Sequence, residues 1–462
     1  MFQVLRYLLV VSVLLTLLPI NSAAFSLNSY DPRSMGMGGV GIAVPGVATA
    51  PLFNPALLST AISGQGKFIT IPTVGMRTQN SDDFFDSIEK FQDNDIVGNL
   101  ADNIDRINEL DYNNNIDEYI SQLSTILDNT IVLESAVNDL SNMVMSADIG
   151  GALIAGSPSN DIGFSFMVNG IAAVAGIVNY TPNDKRDIQS LLADFQVLES
   201  CLSEDPESCL NEDFIWYDHT NNEITYNPNF DLNSNVVVRA IIASETGLSL
   251  SHLFEVNGYP IAAGITPKYV TATVIDYEEN IETADKDDSD SNDYMKDYND
   301  FNLDVGATID LQNGLYVGLV VKNIIPKEYK TYNRICRGND TPKSDGYCRK
   351  TATGNAIDID PQLRVGVSKV TDLYTLAADL DITENGLINL DEGSRYLGFG
   401  GELNSLEWLS LRLGYRFDLV NSDHNVASIG VGLSQSWFKL DLAVSGKGSD
   451  ELGASAQLSL QF

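Results

Sequence analysis

The sequence predicts an all-β transmembrane barrel of 14 antiparallel strands, with an N-terminal hatch that plugs the lumen and a helical insertion in one outer loop. Three features of the chain lead to this fold class. The N-terminus has the pattern of a secretory signal. Long segments alternate apolar and polar residues with period two, and the connections between these segments alternate between long and short.

Residues 1–24 are predicted to be a signal peptide. Arg6 precedes an apolar run from Leu8 to Leu18, and Ser22 and Ala24 fit the small-residue positions before a cleavage site. The run is shorter than the about 20 apolar residues of a spanning helix, which disfavours a membrane anchor. No later apolar run reaches that length, so we expect the chain to cross the outer membrane of a Gram-negative bacterium with strands.

Period-two alternation is clear in the second half of the chain. In 408–418, Leu409, Leu411 and Leu413 lie on one face while Ser410 and Arg412 lie on the other. A soluble β-sandwich also alternates, but its strands usually have about 5 or 6 residues. The segments here run for 9 to 17 residues, which fits the roughly 9 to 11 needed to cross a membrane.

Fourteen such segments are predicted, an even number, as in bacterial outer-membrane barrels. They are 67–78, 148–157, 162–178, 236–250, 261–276, 298–312, 315–325, 356–369, 373–384, 394–403, 408–418, 426–434, 437–446 and 452–462. Odd-numbered connections hold 69, 57, 21, 30, 9, 7 and 5 residues, and even-numbered ones hold 4, 10, 2, 3, 4 and 2. Because outer-membrane barrels have short periplasmic turns and long extracellular loops, this asymmetry predicts a periplasmic C-terminus.

The last segment ends on an aromatic residue. Leu452, Leu458 and the terminal Phe462 share its apolar face. Phe462 resembles the C-terminal signal that the barrel assembly machinery recognises. Trp408 and Trp437 each open a strand on the short-turn side, where an aromatic girdle is expected.

The net charge is -36, from 63 acidic and 27 basic residues, which argues against a nucleic-acid partner. Three long connections, 79–147, 179–235 and 277–297, hold an excess of 30 acidic residues. The acidity therefore predicts an extracellular cap. Apolar residues recur in 79–147 at helical spacing, which predicts helices over the barrel mouth. They are Phe84, Ile88, Phe91, Ile116, Ile120, Leu123 and Leu127.

No metal site, cofactor or enzymatic activity is predicted. The aspartates between Asp285 and Asp293 lack the glycine and glutamate of a calcium loop, so a solvated charge run is favoured over a calcium site. Binding of dilute divalent cations by the acidic loops is left open. The three histidines, His219, His252 and His424, lie in separate connections, and no nucleophile or phosphate-loop motif is present.

The four cysteines lie in two of the long connections. Cys201 and Cys209 are in 179–235, and Cys336 and Cys348 are in 326–355. An oxidising envelope favours disulfides, and of the three connectivities the two local pairs are predicted.

The segment 33–59 carries the family resemblance. It reads RSMGMGGVGIAVPGVATAPLFNPALLS and contains Arg33, several glycines and an Asn-Pro-Ala motif. The glycines are Gly36, Gly38 and Gly39, and the motif is Asn54, Pro55 and Ala56. The stretch resembles the hatch of the FadL-like outer-membrane proteins. With 67–77 and 84–93 added, it is closer still to the barrel-type family named for plasmid-transfer TraF.

This resemblance implies a 14-stranded barrel, spanning 67–462, that is plugged by residues 25–66 and admits hydrophobic solutes that leave sideways into the membrane. A plug accounts for lumenal charges of both signs. Arg239, Arg364, Arg412 and Arg416 are expected to pair with Asp304, Asp360, Asp379 or Asp441 or with hatch polar groups. In the family a kinked third strand opens the wall. Gly170 and Gly176 permit a bulge there, or merely relieve crowding against the hatch.

Two functions are compatible with these features. The first is passive uptake of small hydrophobic compounds through the plugged barrel. The second is a non-transporting envelope component, whose large acidic cap binds a partner or supports a conjugation apparatus.

Overall fold

The structure is a computed structural model. It describes residues 30–46, 48–60, 66–79, 106–109, 116–140, 144–204, 209, 214–218, 223–226, 233–280, 295–336, 348–351, 355–386, 393–406, 408–448 and 451–462.

Within these ranges, strands dominate. The helices are α1 (Pro32–Gly36), α2 (Ala50–Phe53), α3 (Ile116–Leu140) and α4 (Pro182–Glu204), with 3₁₀ turns at Pro55–Ser59 and Ser422–His424. The strands are β1 (Phe68–Gln79), β2 (Val144–Ser157), β3 (Ile162–Asn179), β4 (Ile215–Asp218), β5 (Glu223–Tyr226), β6 (Asn235–Val256), β7 (Tyr259–Asn280), β8 (Met295–Asp310), β9 (Leu315–Lys322), β10 (Lys327–Lys330), β11 (Asn333–Cys336), β12 (Cys348–Thr351), β13 (Ala356–Ile359), β14 (Gln362–Val370), β15 (Tyr374–Asp381), β16 (Tyr396–Leu406), β17 (Leu409–Asp418), β18 (Val426–Gln435), β19 (Phe438–Lys447) and β20 (Glu451–Gln461).

Fourteen of the described strands form one closed antiparallel barrel, in the order β1-β2-β3-β6-β7-β8-β9-β14-β15-β16-β17-β18-β19-β20. The first and last strands close it, with a ladder from Phe68 opposite Gln461 to Gln79 opposite Glu451. Each predicted strand has one counterpart in the barrel, so the predicted antiparallel barrel and its strand count are confirmed. The remaining strands form three two-stranded sheets, β4-β5, β10-β13 and β11-β12. The β11-β12 hairpin lies in the connection between β10 and β13, and we refer to the outer pair as the hairpin β10-β13.

Two predicted strands differ in extent. A ten-residue turn was expected between the fourth and fifth strands, but β6 and β7 each run for 22 residues and are joined by Asn257-Gly258 alone. Both turn residues have positive φ, 54° and 81°, which is the type I′ geometry that Asn-Gly favours. His252 therefore lies in a strand and not in a turn.

The predicted strand 356–369 is two strands. Residues Ala356–Ile359 form β13, which pairs with β10, and Gln362–Val370 form the barrel strand β14. The break falls at Asp360-Pro361, where proline has no N–H for a ladder and a fixed φ. A proline also marks the register shift of β1, between Thr70 and Thr73, because Pro72 cannot donate a hydrogen bond to a neighbouring strand.

The polarity of the inner face changes along β6 and β7. Near the short turns most outward side chains are apolar and most inward ones are polar. Beyond Tyr269, whose ring contacts that of Phe301 on the outer face at 5.2 Å between centroids, the inward residues Ile241, Ala243, Ala272 and Val274 are apolar and buried. The outward residues at this level are mixed: Ser244, Thr271 and Thr273 are polar, whereas Ile242 is apolar and 52% exposed. No helix in the described ranges is both long and apolar enough to span a membrane.

Candidate functional site

The lumen segment, residues 30–46 and 48–60, lies inside the barrel and is mostly buried. It begins with Asp31, whose carboxylate accepts hydrogen bonds from the backbone N–H groups of Arg33 and Ser34 and caps α1. Burial raises the pKa of the Asp31 carboxyl above its ordinary value. The nearby Asp441 acts in the same direction, and the two N–H donors oppose it.

The glycines of the lumen segment allow its backbone to touch the wall. Gly38 has a φ of +72°, and a Cβ there would lie 2.7 Å from the carbonyl oxygens of Phe399 and Tyr415. A Cβ on Gly36 would lie 2.9 Å from the Cα of Gly430. Gly39 also has a positive φ, +85°. Side chains are therefore excluded at these contacts, which explains the glycine-rich stretch.

The Asn-Pro-Ala motif joins the lumen segment to itself and to the wall. Asn54 is fully buried, and its Nδ2 donates to the carbonyl of Ile42 at 3.0 Å and to Oγ1 of Thr308 at 3.1 Å. Its Oδ1 accepts the N–H of Ala56 at 3.1 Å, which caps the 3₁₀ turn that Pro55 opens. One amide thus satisfies groups on the segment and on β8, which is a structural reason for an asparagine at this position.

Arg33 connects the lumen segment to an ion network of the wall. Its guanidinium donates from Nε and Nη2 to both oxygens of Glu402, at 2.9 and 2.7 Å. Arg412 lies on the other side of Glu402, with Nε at 2.7 Å, and its Nη2 lies 2.7 Å from Oδ1 of Asp441. All four side chains are at most 15% exposed. Buried charges in this arrangement depend on one another, because removing one leaves its partner unpaired.

The other predicted lumen charges also have partners. Arg239 pairs with Asp276 at 2.9 Å, Arg416 with Glu451 at 3.0 Å, and Arg364 with Asp381. Asp379 accepts the backbone N–H groups of Gly41 and Ile42 at 2.6 and 3.0 Å, which joins β15 to the lumen segment. The pair of Arg412 with Asp441 is one of the arginine–aspartate pairings that the sequence allows. Asp360 lies between β13 and β14 and not on a barrel strand.

A second buried network was not predicted. Lys268, with a fully buried side chain, places Nζ 2.8 Å from Glu245 and 3.1 Å from Asp304. Beside it, Lys322 donates from Nζ to the carbonyl of Leu52 in α2 at 3.0 Å. These residues occupy inward positions of their strands, so the alternation that identified the strands also contained the signal for this network.

The upper lumen is lined by apolar side chains, which we call the apolar belt: Ile171, Ala173, Ile241, Ala243, Ala272 and Val274. The hairpin β10-β13 packs on it from inside, with Tyr329, Ile357 and Ile359 buried in the same cluster. Connection 326–355 was expected to be an extracellular loop, and its side of the membrane stays a prediction. Its first strand, β10, folds into the mouth of the barrel together with β13, whose residues were expected in the wall.

Gly170 and Gly176 lie in β3, whose ladders to β2 and β6 run without a register shift. The structure thus has no bulge at either glycine, and an opening there stays a prediction. A Cβ on Gly170 would have no neighbour within 4 Å, so crowding does not require this glycine. A groove of about 590 Å³ is present here, with Gly170, Ala172 and Ser244 among its lining residues.

A cavity of about 180 Å³ separates the lumen segment from the wall near the short turns. Asp31 and Leu57 line it from the segment, and Phe438 and Gln457 line it from β19 and β20. The lumen segment therefore leaves unfilled space at this end of the barrel.

Two long connections build a cap domain with its own core. Helices α3 and α4 pack through Leu123, Ile126, Leu191 and Phe195, and the β4-β5 hairpin adds to the cluster. The helical pattern from Ile116 to Leu127 falls within α3, whereas the helix expected at 84–91 lies outside the described residues. Helix α4 was not predicted, although Ile188, Leu191, Phe195 and Leu198 have helical spacing.

One predicted disulfide is present, Cys201 to Cys209, with the Cα atoms 5.3 Å apart. Cys336 and Cys348 are register partners in the β11-β12 hairpin, and their disulfide stays a prediction. Phe462 follows β20, is 72% exposed and donates its N–H to the carbonyl of Lys67. Its role in assembly stays a prediction.

Other expectations concern residues outside the described ranges, namely the signal peptide 1–24 and the aspartates from Asp285 to Asp293. Within the described ranges, no group of three or more His, Cys, Asp or Glu side chains is arranged to hold a metal ion.

Comparison with known proteins gives one family match and several similar structures. The family model described as "F plasmid transfer operon, TraF, protein" matches residues 51–381. The toluene transporter TbuX of Ralstonia pickettii is 10% identical over 95% of this chain and 99% of its own, with a TM-score of 0.49. The toluene transporter TodX of Pseudomonas putida has 10% identity, the same coverages and a TM-score of 0.42. A Pseudomonas aeruginosa FadL homologue has 12% identity, the same coverages and a TM-score of 0.44. No curated protein matches the chain.

Proposed function

The chain belongs to the family described as F plasmid transfer operon, TraF, protein, and from this premise we propose that it is an outer-membrane barrel for passive uptake of small hydrophobic compounds. The observation that carries the proposal is the apolar belt. A lumen that conducts polar solutes has a polar lining throughout. Here six neighbouring inward positions of β3, β6 and β7 are apolar, above a polar lower lumen. The belt supplies a surface on which an apolar molecule can leave water.

The lumen segment acts as the hatch in this proposal. Its contacts with the wall are both apolar and polar. Leu52, Phe53, Leu57 and Leu58 share a buried apolar cluster with wall residues of β1, β2 and β3. Polar contacts are made through Arg33, Asn54 and the N–H groups of Gly41 and Ile42, and these can be exchanged for water when the segment moves. The lateral route through β3 at Gly170 and Gly176 remains part of the proposal, and the groove at Gly170 supports it.

The proposed orientation places the short turns and the C-terminus in the periplasm. The outward face of β7 from Tyr259 to Tyr269 supports it, because Tyr259, Ile265 and Tyr269 are exposed and bound an apolar band about 10 residues high. Beyond this band the outward positions 271 and 273 of β7 are threonines, as expected of a strand that leaves the membrane, although Ile242 of the neighbouring β6 is still exposed. The cap domain then lies outside the cell, and residues 1–24 act as the signal peptide.

An uptake measurement tests the proposal. Cells that lack the gene take up ¹⁴C-naphthalene more slowly than complemented cells, and sucrose uptake is equal in both. Ala243→Asn puts an amide in the belt and lowers naphthalene uptake roughly tenfold, because a buried polar group without a partner costs about 1–3 kcal/mol. Ser244→Asn, the adjacent outward position, is the matched control. Equal naphthalene uptake with and without the gene contradicts the proposal.

The cap domain favours a second candidate function, a non-transporting envelope component linked to conjugal transfer. Its core of α3, α4 and β4-β5, closed by a disulfide, is more than a channel entrance needs. If the cap binds a partner, replacing 116–140 by a short glycine-serine loop abolishes partner capture and lowers transfer frequency while the barrel still assembles. Unchanged capture and transfer argue against this function.

A further inference from the structure

The hairpin β10-β13 closes the mouth of the barrel from inside. Tyr329, Ile357 and Ile359 are 3%, 0% and 8% exposed, and their partners are the inward side chains of β3, β6 and β7. The ring of Tyr329 stacks on that of Tyr298 of β8, with centroids 4.8 Å apart and planes 29° apart. The hairpin therefore covers the belt with its own apolar side chains.

The covered surface has sharp boundaries. Below it lies the network of Lys268, Glu245 and Asp304, and above it lies the pair Arg239 with Asp276. An apolar surface between two charged layers favours an uncharged apolar occupant, because a charged or strongly polar one would lose its hydration without finding a partner. In the structure, that occupant is the hairpin.

The hairpin is held at the mouth by a few polar contacts. Asp276 accepts hydrogen bonds from the hydroxyl of Thr331 at 2.6 Å and from Nδ2 of Asn355 at 3.0 Å. The hydroxyl of Tyr298 donates to the carbonyl of Lys330 at 2.7 Å. Thr331 and Asp276 are buried in the closed arrangement, so water replaces these partners only when the hairpin moves.

We propose that the hairpin occupies the binding site of an uncharged apolar solute, and that the solute enters by displacing Tyr329, Ile357 and Ile359 from the apolar belt. The inference rests on the proposed function and adds its regulation. The hairpin and the solute compete for one surface, so a weaker hairpin gives faster entry and a fixed hairpin gives none.

Three forms of the full-length protein test the competition in cells that lack the native gene. Tyr329→Ala raises the initial rate of ¹⁴C-naphthalene uptake about tenfold, because loss of a buried aromatic ring shifts the docking equilibrium at least that far. Thr331→Cys with Asp276→Cys, joined by a short bifunctional thiol reagent, lowers uptake to the level of the deletion strain. Lys330→Ala removes an exposed side chain from the same strand and leaves uptake within about twofold of wild type. Wild type and each single cysteine variant, treated with the same reagent, control for labelling elsewhere.

Hydrogen exchange separates the inference from the proposed function and does not depend on any variant folding. In the purified wild-type protein, saturating naphthalene speeds exchange of residues 327–331 and 355–359 and leaves the lower strands unchanged. Slower or unchanged exchange of the hairpin overturns the inference. If the cross-linked protein takes up naphthalene as fast as wild type, the inference fails while transport stands. If wild type and deletion strain take it up equally, the proposed function fails instead.

Discussion

Replacing Glu402 by glutamine should release the lumen segment from the wall. The Glu402 carboxylate, 3% exposed, accepts two hydrogen bonds from Arg33 and one from Arg412. Hydrogen bonds to charged groups contribute about 1.5–3 kcal/mol each, and breaking a buried ion pair costs about 3–5 kcal/mol. The amide keeps one acceptor but turns an NH₂ toward a guanidinium. We therefore expect docking of the segment on the wall to weaken by about 3–5 kcal/mol. This lowers the equilibrium constant for docking by a factor of about 100 to 3,000.

The assay is hydrogen exchange of residues 30–60 in the detergent-solubilised protein. Glu402→Gln should speed exchange of this segment by that factor and leave the ladders of β3, β6 and β7 unchanged. A double-mutant cycle with Arg33→Met should give a coupling of about 2–3 kcal/mol. Glu328→Gln is the control, because its pair with Lys330 is half exposed on both sides and contributes less than about 1 kcal/mol. The reasoning is refuted if Glu402→Gln slows or leaves unchanged the exchange of 30–60, or if the cycle shows no coupling.

Three further predictions use single sites. Gly306→Ala should displace Asn54, because the new Cβ would overlap the Asn54 side chain, and should increase proteolysis within 30–60. Gly170→Ala, where a Cβ meets open space, should leave proteolysis of 30–60 unchanged. Lys268→Met should lower the thermal midpoint of the barrel, read by heat-modifiable gel mobility, because it removes the ion-pair partner of the buried Glu245 and Asp304 at a cost of about 3–5 kcal/mol. A midpoint equal to wild type would contradict this account. Cys201→Ser with Cys209→Ser should destabilise the cap domain by about 2.5 kcal/mol, because the loop that the disulfide closes gains conformational entropy in the unfolded state. Hydrogen exchange in α4 should become faster while the thermal midpoint of the barrel stays unchanged. A lower barrel midpoint would show that cap and barrel unfold together.

The strands were predictable because inward and outward positions alternate along each one. Glu402 and Lys268 occupy inward positions of predicted strands, so the pattern shows that they face the lumen. Their partners come from other strands and from the lumen segment, and one sequence contains no information on that register. This is why Arg412 and Asp441 were expected among the lumen charges without a specific pairing, and why Glu402, the second partner of Arg412, was missed.

The hairpin β10-β13 was missed for a related reason. Its strands pair Lys327 with Ile359 across a long connection, and each has four residues, too few for a clear period. Residues 356–359 alternate in phase with β14, so they extend that strand in the sequence until Pro361 breaks it. The family, by contrast, was predictable from local motifs, because the glycines and Asn54 each meet a local steric or hydrogen-bonding demand. The match over 51–381 confirms that prediction.

The two elements that fill the lumen differ in the polar interactions that hold them. The lumen segment packs apolar side chains on the wall and is also held by buried ion pairs and amide hydrogen bonds, which an apolar solute cannot replace. The hairpin is held largely by apolar packing on the belt, which an apolar solute reproduces. A hydrophobic compound arriving from outside can therefore reproduce the packing of the hairpin on the belt, whereas displacing the segment would also break the buried pair of Arg33 with Glu402, which the compound cannot replace. If the chain is a channel, the solute itself opens the outer barrier, and passage beyond the belt depends on a side route or on a separate polar event at Arg33 and Glu402.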